Sequence, residues 1–289
     1  YRGVRELAAA PAPVEERWRL DQSRDAALRG RCLEALGALE TLWPQFGIDG
    51  SKNVWVVKAP EACRGRGIVL HRRLDEILTL ADRFPGRVAQ KYVEETMLWD
   101  RAGVDVKFDL RCWALLVGGG TAPLEAYAHD PLYARLCSRP WGLDEASLRD
   151  PRAHLSNLAV NRDGASDDGA ALLGDQDDLA RRLGDKWPAA RAGVHRIVAA
   201  LAAAARHVAE PRARSFELLG VDVVLDATGH PWLLECNLSP ALARRSDAQA
   251  ATIDGMLEGA LRRTVDAWFP FTAPAAPAAG DGWRRAGFW

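Results

Sequence analysis

The sequence predicts an α+β protein whose sheets are antiparallel. Short apolar runs of strand type recur between turns that contain glycine or proline, and a hairpin pattern closes the last pair of them. Separate segments carry apolar residues at helical spacing, and the chain has no internal repeat. Its 289 residues, of which 48% are hydrophobic and 27% charged, are enough to bury a substantial core.

The first half of the chain predicts two helices and several short strands. Apolar residues at helical spacing predict a helix over residues 24–43, and an amphipathic pattern that ends before Pro85 predicts another over residues 74–84. Strands are expected over residues 54–57, 68–70, 88–93, 108–117, 124–129 and 132–137.

The second half predicts a helical and a hairpin region after an irregular segment. Residues 161–188 are rich in Asp, Gly and Arg and indicate a surface insertion. The alanine-rich segment over residues 189–209 predicts a long helix, and a last helix is expected over residues 252–269. The hairpin strands are expected over residues 219–225 and 232–238.

We divide the chain into three regions. Residues 1–43 form an extended arm and a helix, residues 44–270 form one domain, and residues 271–289 form a Pro/Ala-rich tail. Because the chain begins with Tyr1 and lacks a basic-plus-apolar leader, we expect a fragment of a longer protein without a visible secretory signal.

Composition argues against several classes of protein. The formal net charge of −1 argues against non-specific nucleic-acid binding. No apolar run reaches the roughly 18–20 residues that a bilayer requires. The five cysteines are scattered without a CxxC pair, which favours neither a disulfide framework nor a zinc site and indicates a reducing compartment such as the cytosol.

Lysine is rare in this chain and therefore informative. Only five of the 38 basic residues are lysines, at positions 52, 58, 91, 107 and 186. Where a surface position needs only positive charge, this sequence uses arginine. A remaining lysine indicates a place where a compact, flexible ammonium group is needed.

Two motifs of the first half could contact phosphate or could be structural. Lys58 closes one strand, and the loop Cys63-Arg64-Gly65-Arg66-Gly67-Ile68 leads into the next. Glycines let a backbone approach a polyphosphate closely, but a lone sequence of this kind is more often a solvated turn. Gln90-Lys91-Tyr92-Val93 lies on an apolar strand, where an ordinary edge-strand lysine is the simpler interpretation.

Alternation along one strand places Lys107, Asp109 and Arg111 on the same face. Three neighbouring charges cost desolvation free energy unless they pair with one another or hold a ligand. A row of structural ion pairs and a ligand site are equally compatible with this pattern.

Asp222, Glu235 and Asn237 are polar residues within the apolar strands of the predicted hairpin. Paired strands could bring the two carboxylates together, with the amide on the same face. Oxygen ligands on a rigid strand pair suit Mg²⁺, which shares its remaining positions with phosphates. The alternative of two unrelated buried acids is weaker, since each would need its own partner.

Six motifs occur together in an order and spacing that resemble the tubulin–tyrosine ligase-like family. They are Lys58 with its Arg-Gly-Arg-Gly-Ile loop, Gln90-Lys91-Tyr92, Lys107-Phe108-Asp109-Leu110-Arg111, His154-Leu155-Ser156-Asn157, Phe216-Glu217-Leu218-Leu219-Gly220-Val221-Asp222 and Leu234-Glu235-Cys236-Asn237. The resemblance extends from Trp43 to Phe269. It implies an ATP-grasp fold, in which two lobes with antiparallel sheets clasp ATP, and it makes the domain over residues 44–270 catalytic.

The resemblance also implies what each candidate residue does. It implies catalytic roles for Lys107, Asp109, Arg111 and Arg135. It implies nucleotide binding by Lys58, Cys63, Arg64, Gly65, Arg66, Gly67, Ile68, Gln90, Lys91, Tyr92, Val93, Lys107, Ser156 and Asn157. It implies magnesium binding by Asp222, Glu235 and Asn237.

Members of this family join an amino acid to a carboxylate of tubulin or another protein, so ATP and Mg²⁺ are the implied cofactors. The residues around Lys58 look most like the glycylase branch. The expected activity is ATP-dependent addition of glycine to glutamate side chains of tubulin's acidic C-terminal tails, through an acylphosphate. Asn237-Leu238-Ser239-Pro240 is closer to the glutamylases, so glutamylation is one alternative and a catalytically dead tail-binding module is another.

The same resemblance places the protein in the cytoplasm, on microtubules and in the axoneme of a cilium or flagellum. Its expected partners are tubulin and free glycine. We expect a monomer with no nucleic-acid or membrane partner.

Overall fold

The computed structural model describes residues 26–42, 50, 52–59, 65–119, 122–162, 169–207, 212–269 and 281–288. Its helices are α1 (Ala26–Leu42), α2 (Leu74–Arg83), α3 (Glu145–Leu148), α4 (Pro151–His154), α5 (Leu158–Asn161), α6 (Gln176–Leu183), α7 (Trp187–Ala205), α8 (Asp247–Arg263) and α9 (Val265–Trp268). Its strands are β1 (Trp55–Lys58), β2 (Val69–His71), β3 (Val88–Lys91), β4 (Leu98–Arg101), β5 (Val104–Gly119), β6 (Ala122–His129), β7 (Tyr133–Leu136), β8 (Leu173–Gly174), β9 (Ser215–Leu225), β10 (Pro231–Asn237) and β11 (Trp283–Phe288).

The strands form two antiparallel sheets, so the predicted α+β class is confirmed. The small sheet has the order β2-β1-β3, and Trp55 of its central strand pairs with His71 on one side and Lys91 on the other. The main path of the large sheet has the order β10-β9-β5-β6-β11, while β4 and β7 also pair with β5, and β8 pairs with β7. Among the described helices, none is long and apolar enough to cross a membrane.

Strand β5 is the centre of the large sheet and is covered on both faces. Leu110 and Cys112 point into a core that includes Val194 and Val198 of α7. Trp113 and Leu115 point the other way, into a second core that contains Ile253 and Met256 of α8. Each fully buried aliphatic side chain contributes roughly 1.5–3 kcal/mol. Since side chains alternate along a strand, Lys107, Asp109 and Arg111 share a face with Trp113 and Leu115.

The expected surface insertion over residues 161–188 is wrong for its second part. Strand β8 pairs with β7, and Leu179 and Leu183 of α6 are buried in the main core. Gly174 lies against the ring of Trp99 on β4, so closely that a Cβ there would fall 2.5 Å from it. Residues 163–168 lie outside the described residues. The acidic and basic positions of α6 form its solvent-facing side, which explains why composition alone suggested a surface loop.

The C-terminal tail also differs from the expectation. Residues 283–288 form β11, which pairs with β6 from Trp283 opposite His129 to Phe288 opposite Glu125. Trp283 is buried, and its Nε1 donates a hydrogen bond to the carbonyl of Met256 at 2.9 Å. The Pro/Ala-rich residues 270–280 and the predicted arm over residues 1–23 lie outside the described residues.

Candidate functional site

A cavity of about 780 Å³ opens between the small sheet and the large sheet. This volume is within the usual range for small-molecule sites. Of the residues predicted from the sequence, it is lined by Lys58, Gly65, Ile68, Gln90, Lys91, Tyr92, Val93, Lys107, Asp109, Arg111, Arg135, Ser156, Asn157, Asp222, Glu235 and Asn237. Arg66 and Gly67 are described but do not line it, and Cys63 and Arg64 lie outside the described residues.

The two acids and the amide of the hairpin meet where the end of β10 lies against β9. Glu235 lies directly opposite Asp222, because an irregularity between Leu233 and Glu235 shifts the register of the pairing by one residue. Asn237 Nδ2 lies 3.3 Å from Asp222 Oδ2 and 3.2 Å from Glu235 Oε1. The β-bulge therefore gathers three polar side chains on one face of the sheet.

The chemistry of this trio fits a divalent cation that prefers oxygen. Glu235 is half-buried and has no cationic partner within 4 Å among the described residues. The described residues contain no cluster of three or more His, Cys, Asp or Glu side chains that could hold a metal ion by themselves. Mg²⁺ is typically held by one or two carboxylates and completes its coordination with water and substrate phosphates. Two carboxylates and an amide are therefore a fitting donor set.

Next to the trio lies a buried network of two acids and two arginines. Arg111 Nε donates to Asp222 Oδ1 at 2.5 Å, and Arg135 Nη2 lies 2.9 Å from Asp222 Oδ2. Arg135 also forms a bidentate pair with Asp109, at 2.8 and 2.7 Å. Ser156 Oγ donates to the same carboxylate. The charges of the four ionised groups sum to zero, as burial requires.

The pKa values of the network follow from its contacts. Burial alone would raise the pKa of Asp109, but the guanidinium of Arg135 and the nearby ammonium of Lys107 hold it below the usual value. The pKa of Arg135 is raised well above its usual value by Asp109 and Asp222, which outweigh the effect of burial. Because both oxygens of Asp109 are engaged by Arg135, Asp109 positions that arginine.

Lys58 and Lys107 bring ammonium groups into the cavity from the two sheets. Lys58 Nζ donates to the carbonyl of Leu234 at 3.3 Å, and Lys107 Nζ donates to the carbonyl of His154 at 3.0 Å. Burial, and then the charge of Lys107, lower the pKa of Lys58, while Glu235 and Asp222 oppose the shift. Two amines so close to the acids provide positive charge where a polyphosphate would need it.

Lys91 differs from these two lysines. Its Nζ donates to the carbonyls of Val54 and Tyr92 at 3.1 Å each and to Glu94 Oε1 at 2.7 Å. Glu94 in turn accepts hydrogen bonds from the backbone N–H groups of Val54 and Lys52. The ammonium of Lys91 therefore ties β1 to the segment that follows β3, and all three of its protons are used within the protein.

Sequence reasoning missed several residues that line the cavity. They include Val56, Tyr133, Arg162, Val224, Arg245 and Gln249. His154 also lines the cavity, and its place in the motif His154-Leu155-Ser156-Asn157 was the one signal that could have identified it. The others carry no recognisable motif: Val56, Tyr133 and Val224 reach the cavity from strands, Arg162 from the end of α5, and Arg245 and Gln249 because the chain turns back after β10.

A family model described as the tubulin-tyrosine ligase family matches residues 30–273. The chain belongs to this family. The resemblance inferred from six motifs is therefore confirmed, and the two antiparallel sheets around the cavity are consistent with the ATP-grasp-like fold of the tubulin-tyrosine ligase family.

Three relatives show where in the tubulin-tyrosine ligase family this chain lies. It is 31% identical over 234 residues to "Tubulin glycylase 3E" of Tetrahymena thermophila, covering 74% of this chain and 16% of the relative. It is 31% identical over 256 residues to "Tubulin monoglycylase TTLL3" of Mus musculus, covering 82% and 26%. It is 31% identical over 258 residues to "Protein monoglycylase TTLL8" of Homo sapiens, covering 82% and 29%. The chain thus spans less than a third of each of these relatives.

Proposed function

We propose that this chain is an ATP-dependent ligase that adds glycine to glutamate side chains in the acidic tails of tubulin. The observation that carries the proposal is the convergence of Asp222, Glu235 and Asn237 with Lys58 and Lys107 around one cavity. The names of its relatives, which are tubulin glycylases and a protein monoglycylase, favour glycine and tubulin. We place the activity in the cytoplasm, on microtubules and in axonemes.

The first step would activate the acceptor. A carboxylate is a poor electrophile at neutral pH, so its oxygen takes the γ-phosphoryl group of ATP, and ADP leaves. Mg²⁺, held by Asp222, Glu235 and Asn237, would neutralise charge on the transferred group. Lys58 and Lys107 add two fixed positive charges on the other sides of the cavity. Positioning and charge supply most of the rate in such steps.

The second step would form the new bond. The amine of glycine attacks the acyl carbon and loses a proton, and inorganic phosphate leaves as an isopeptide bond forms. Arg111 and Arg135 line the cavity beside the trio, where they can hold the acyl oxygen atoms. Their guanidinium groups are already oriented by Asp109 and Asp222, so little conformational entropy is lost when the substrate binds.

Glutamylation is the second candidate. The sequence Asn237-Leu238-Ser239-Pro240 resembles that of glutamylases, and it begins with Asn237, one of the proposed magnesium ligands. Ser239 and Pro240 line the cavity, so this segment is suited to influence which amino acid is used.

The third candidate is a catalytically dead module that only binds tubulin tails. Such a module has no chemical reason to keep five polar groups converging in one cavity, namely those of Lys58, Lys107, Asp222, Glu235 and Asn237.

The deciding experiment supplies tubulin, ATP and Mg²⁺ with labelled glycine or labelled glutamate. We expect glycine to be incorporated into the C-terminal tail peptides and glutamate not to be. Incorporation of glutamate alone would replace glycylation by glutamylation. If neither is incorporated, and ATP with Mg²⁺ fails to raise the unfolding free energy by the about 2.7 kcal/mol expected at 100 times Kd, the chain is a dead module.

A further inference from the structure

His154 connects the two sides of the cavity. It ends helix α4, it is 1% exposed, and its ring contacts Tyr92, the residue that follows β3 of the small sheet. Its carbonyl accepts the hydrogen bond from Lys107 Nζ, and Lys107 belongs to β5 of the large sheet. One residue is thus in contact with a wall residue from each sheet.

The hydrogen bonds of the ring determine its tautomer. His154 Nε2 lies 3.0 Å from the carbonyl oxygen of Ser147, and a carbonyl can only accept. Nε2 therefore carries the proton, and Nδ1 is an acceptor. The Tyr92 hydroxyl, 2.9 Å from Nδ1, must donate to it. Trp141 Nε1, which can only donate, lies 3.4 Å from the same hydroxyl and completes the chain Trp141 to Tyr92 to His154.

This series of hydrogen bonds can form only while the His154 ring is neutral. A proton on Nδ1 would remove the acceptor that Tyr92 needs and would place a second cation beside Lys107. Burial, and then the charge of Lys107, lower the pKa of His154 to about 4, against the weaker opposite effects of the Ser147 carbonyl, Asp150 and Asp144. Burial also raises the pKa of Tyr92, so its hydroxyl keeps its proton. Both groups therefore hold the required protonation state at neutral pH.

We propose that His154 is a positioning residue for the nucleotide: its Nδ1 fixes the Tyr92 ring on one wall of the cavity, while its carbonyl fixes Lys107 on the other. The proposal rests on the proposed function, since it takes the occupant of the cavity to be ATP. Tyr92 lines the cavity next to Gln90 and Val93, so a rotated Tyr92 ring changes the shape of the wall.

A double-mutant cycle on the affinity for ATP and Mg²⁺ tests the route through Tyr92. His154→Gln keeps a donor for Ser147 but removes the acceptor for Tyr92, and we expect Kd to rise about tenfold. Tyr92→Phe should raise Kd by a similar factor. If His154 acts through Tyr92, the double variant should be no weaker than either single variant.

Two further variants separate positioning from general stability. His154→Asn places an amide oxygen near the position of Nδ1 and should restore affinity to within about threefold of the wild type, even though it loses the contact with Ser147. His207→Gln changes an exposed histidine that does not line the cavity and should bind as the wild type does. A purely structural role would weaken binding equally for Asn and Gln at position 154.

The ¹⁵N spectrum of the histidine rings gives a readout that needs no nucleotide. At pH 7 the wild type should show His154 as neutral with the proton on Nε2, and Tyr92→Phe should shift its Nδ1 resonance. Additive effects in the cycle, equal losses for Asn and Gln, or a proton on Nδ1 would overturn the proposal while leaving the ligase intact. If the wild type binds no ATP, the proposed function fails, and the positioning role fails with it.

Discussion

Glu235 differs from the other two acids of the cavity because no arginine or lysine in the described part of the chain is in direct contact with its carboxylate. Asp109 and Asp222 are engaged by arginines at 2.5–2.9 Å, whereas Glu235 has no cation within 4 Å among the described residues. A half-buried carboxylate without a cation in contact costs free energy, which a cation that arrives with the substrate would offset. Among the proposed magnesium ligands, Glu235 should therefore be the one whose substitution perturbs the fold least.

Glu235→Gln is the variant that isolates this charge. It keeps an oxygen for Asn237, so we expect the unfolding free energy to change by less than about 0.5 kcal/mol. Ligation should fall by roughly 10²–10³, because one fixed negative charge in the metal site is lost. Rates measured with labelled glycine at several Mg²⁺ concentrations check this. The control is Glu217→Gln, which changes an exposed acid on β9 and should ligate as the wild type does. Near-normal ligation by Glu235→Gln would show that the metal site lies elsewhere.

Individual residues of the candidate site were predictable where a regular pattern carried them. Alternation along β5 predicted that Lys107, Asp109 and Arg111 would share a face, and polar residues within the apolar hairpin strands indicated the magnesium ligands independently of the resemblance. The bulge that places Glu235 opposite Asp222 was not predictable, because one extra residue in a strand leaves no mark in an apolar run. The hydrogen bond from Lys91 to the carbonyl of Val54 was also missed, since the two residues are 37 positions apart in the chain.

At the scale of elements, strands and helices that carry their own apolar pattern were predicted with shifts of a few residues. Helix α2 and the hairpin of β9 and β10 are examples. Strand β11 was missed because its sequence, with two arginines after Trp283, has little apolar character of its own. It is held instead by pairing with β6, and Arg284 Nε donates to Asp130 at 2.6 Å. Such a strand is determined by tertiary contacts.

The anchoring of β11 gives a prediction for Trp283→Ala. The indole is buried, and Gly259 of α8 approaches it so closely that a Cβ would lie 2.6 Å from the ring. Removing it should lower the unfolding free energy by about 3–5 kcal/mol, since the helix and sheet cannot close the gap. Urea unfolding measures the loss. Arg285→Ala, an exposed position on the same strand, should cost less than about 1 kcal/mol, and a similar small effect for Trp283→Ala would show that β11 adds little.

At the scale of the whole molecule, the protein buries histidines in their neutral form. Burial lowers the pKa of both His129 and His154 to about 4. His129 lies between Trp113 and Trp283, where the second core meets β11, and His154 lies at the cavity. Protonation of either ring would therefore disturb a junction between elements. Lowering the pH should therefore decrease the stability of the fold and change the shape of the cavity over the same pH range.

The unfolding free energy should therefore fall as the pH is lowered from 7 to 5. In the unfolded chain both rings titrate near pH 6.5, whereas in the folded protein they stay neutral to about pH 4, so the unfolded state takes up protons first. The stability that they contribute is complete above pH 6.5 and is lost towards pH 4, by about 2 kcal/mol for each histidine between pH 7 and pH 5. Urea unfolding at these two pH values measures the difference. His154→Asn should remove about 2 kcal/mol of it and His207→Gln none. An unchanged pH dependence in His154→Asn would mean that this ring is not one of the groups that titrate.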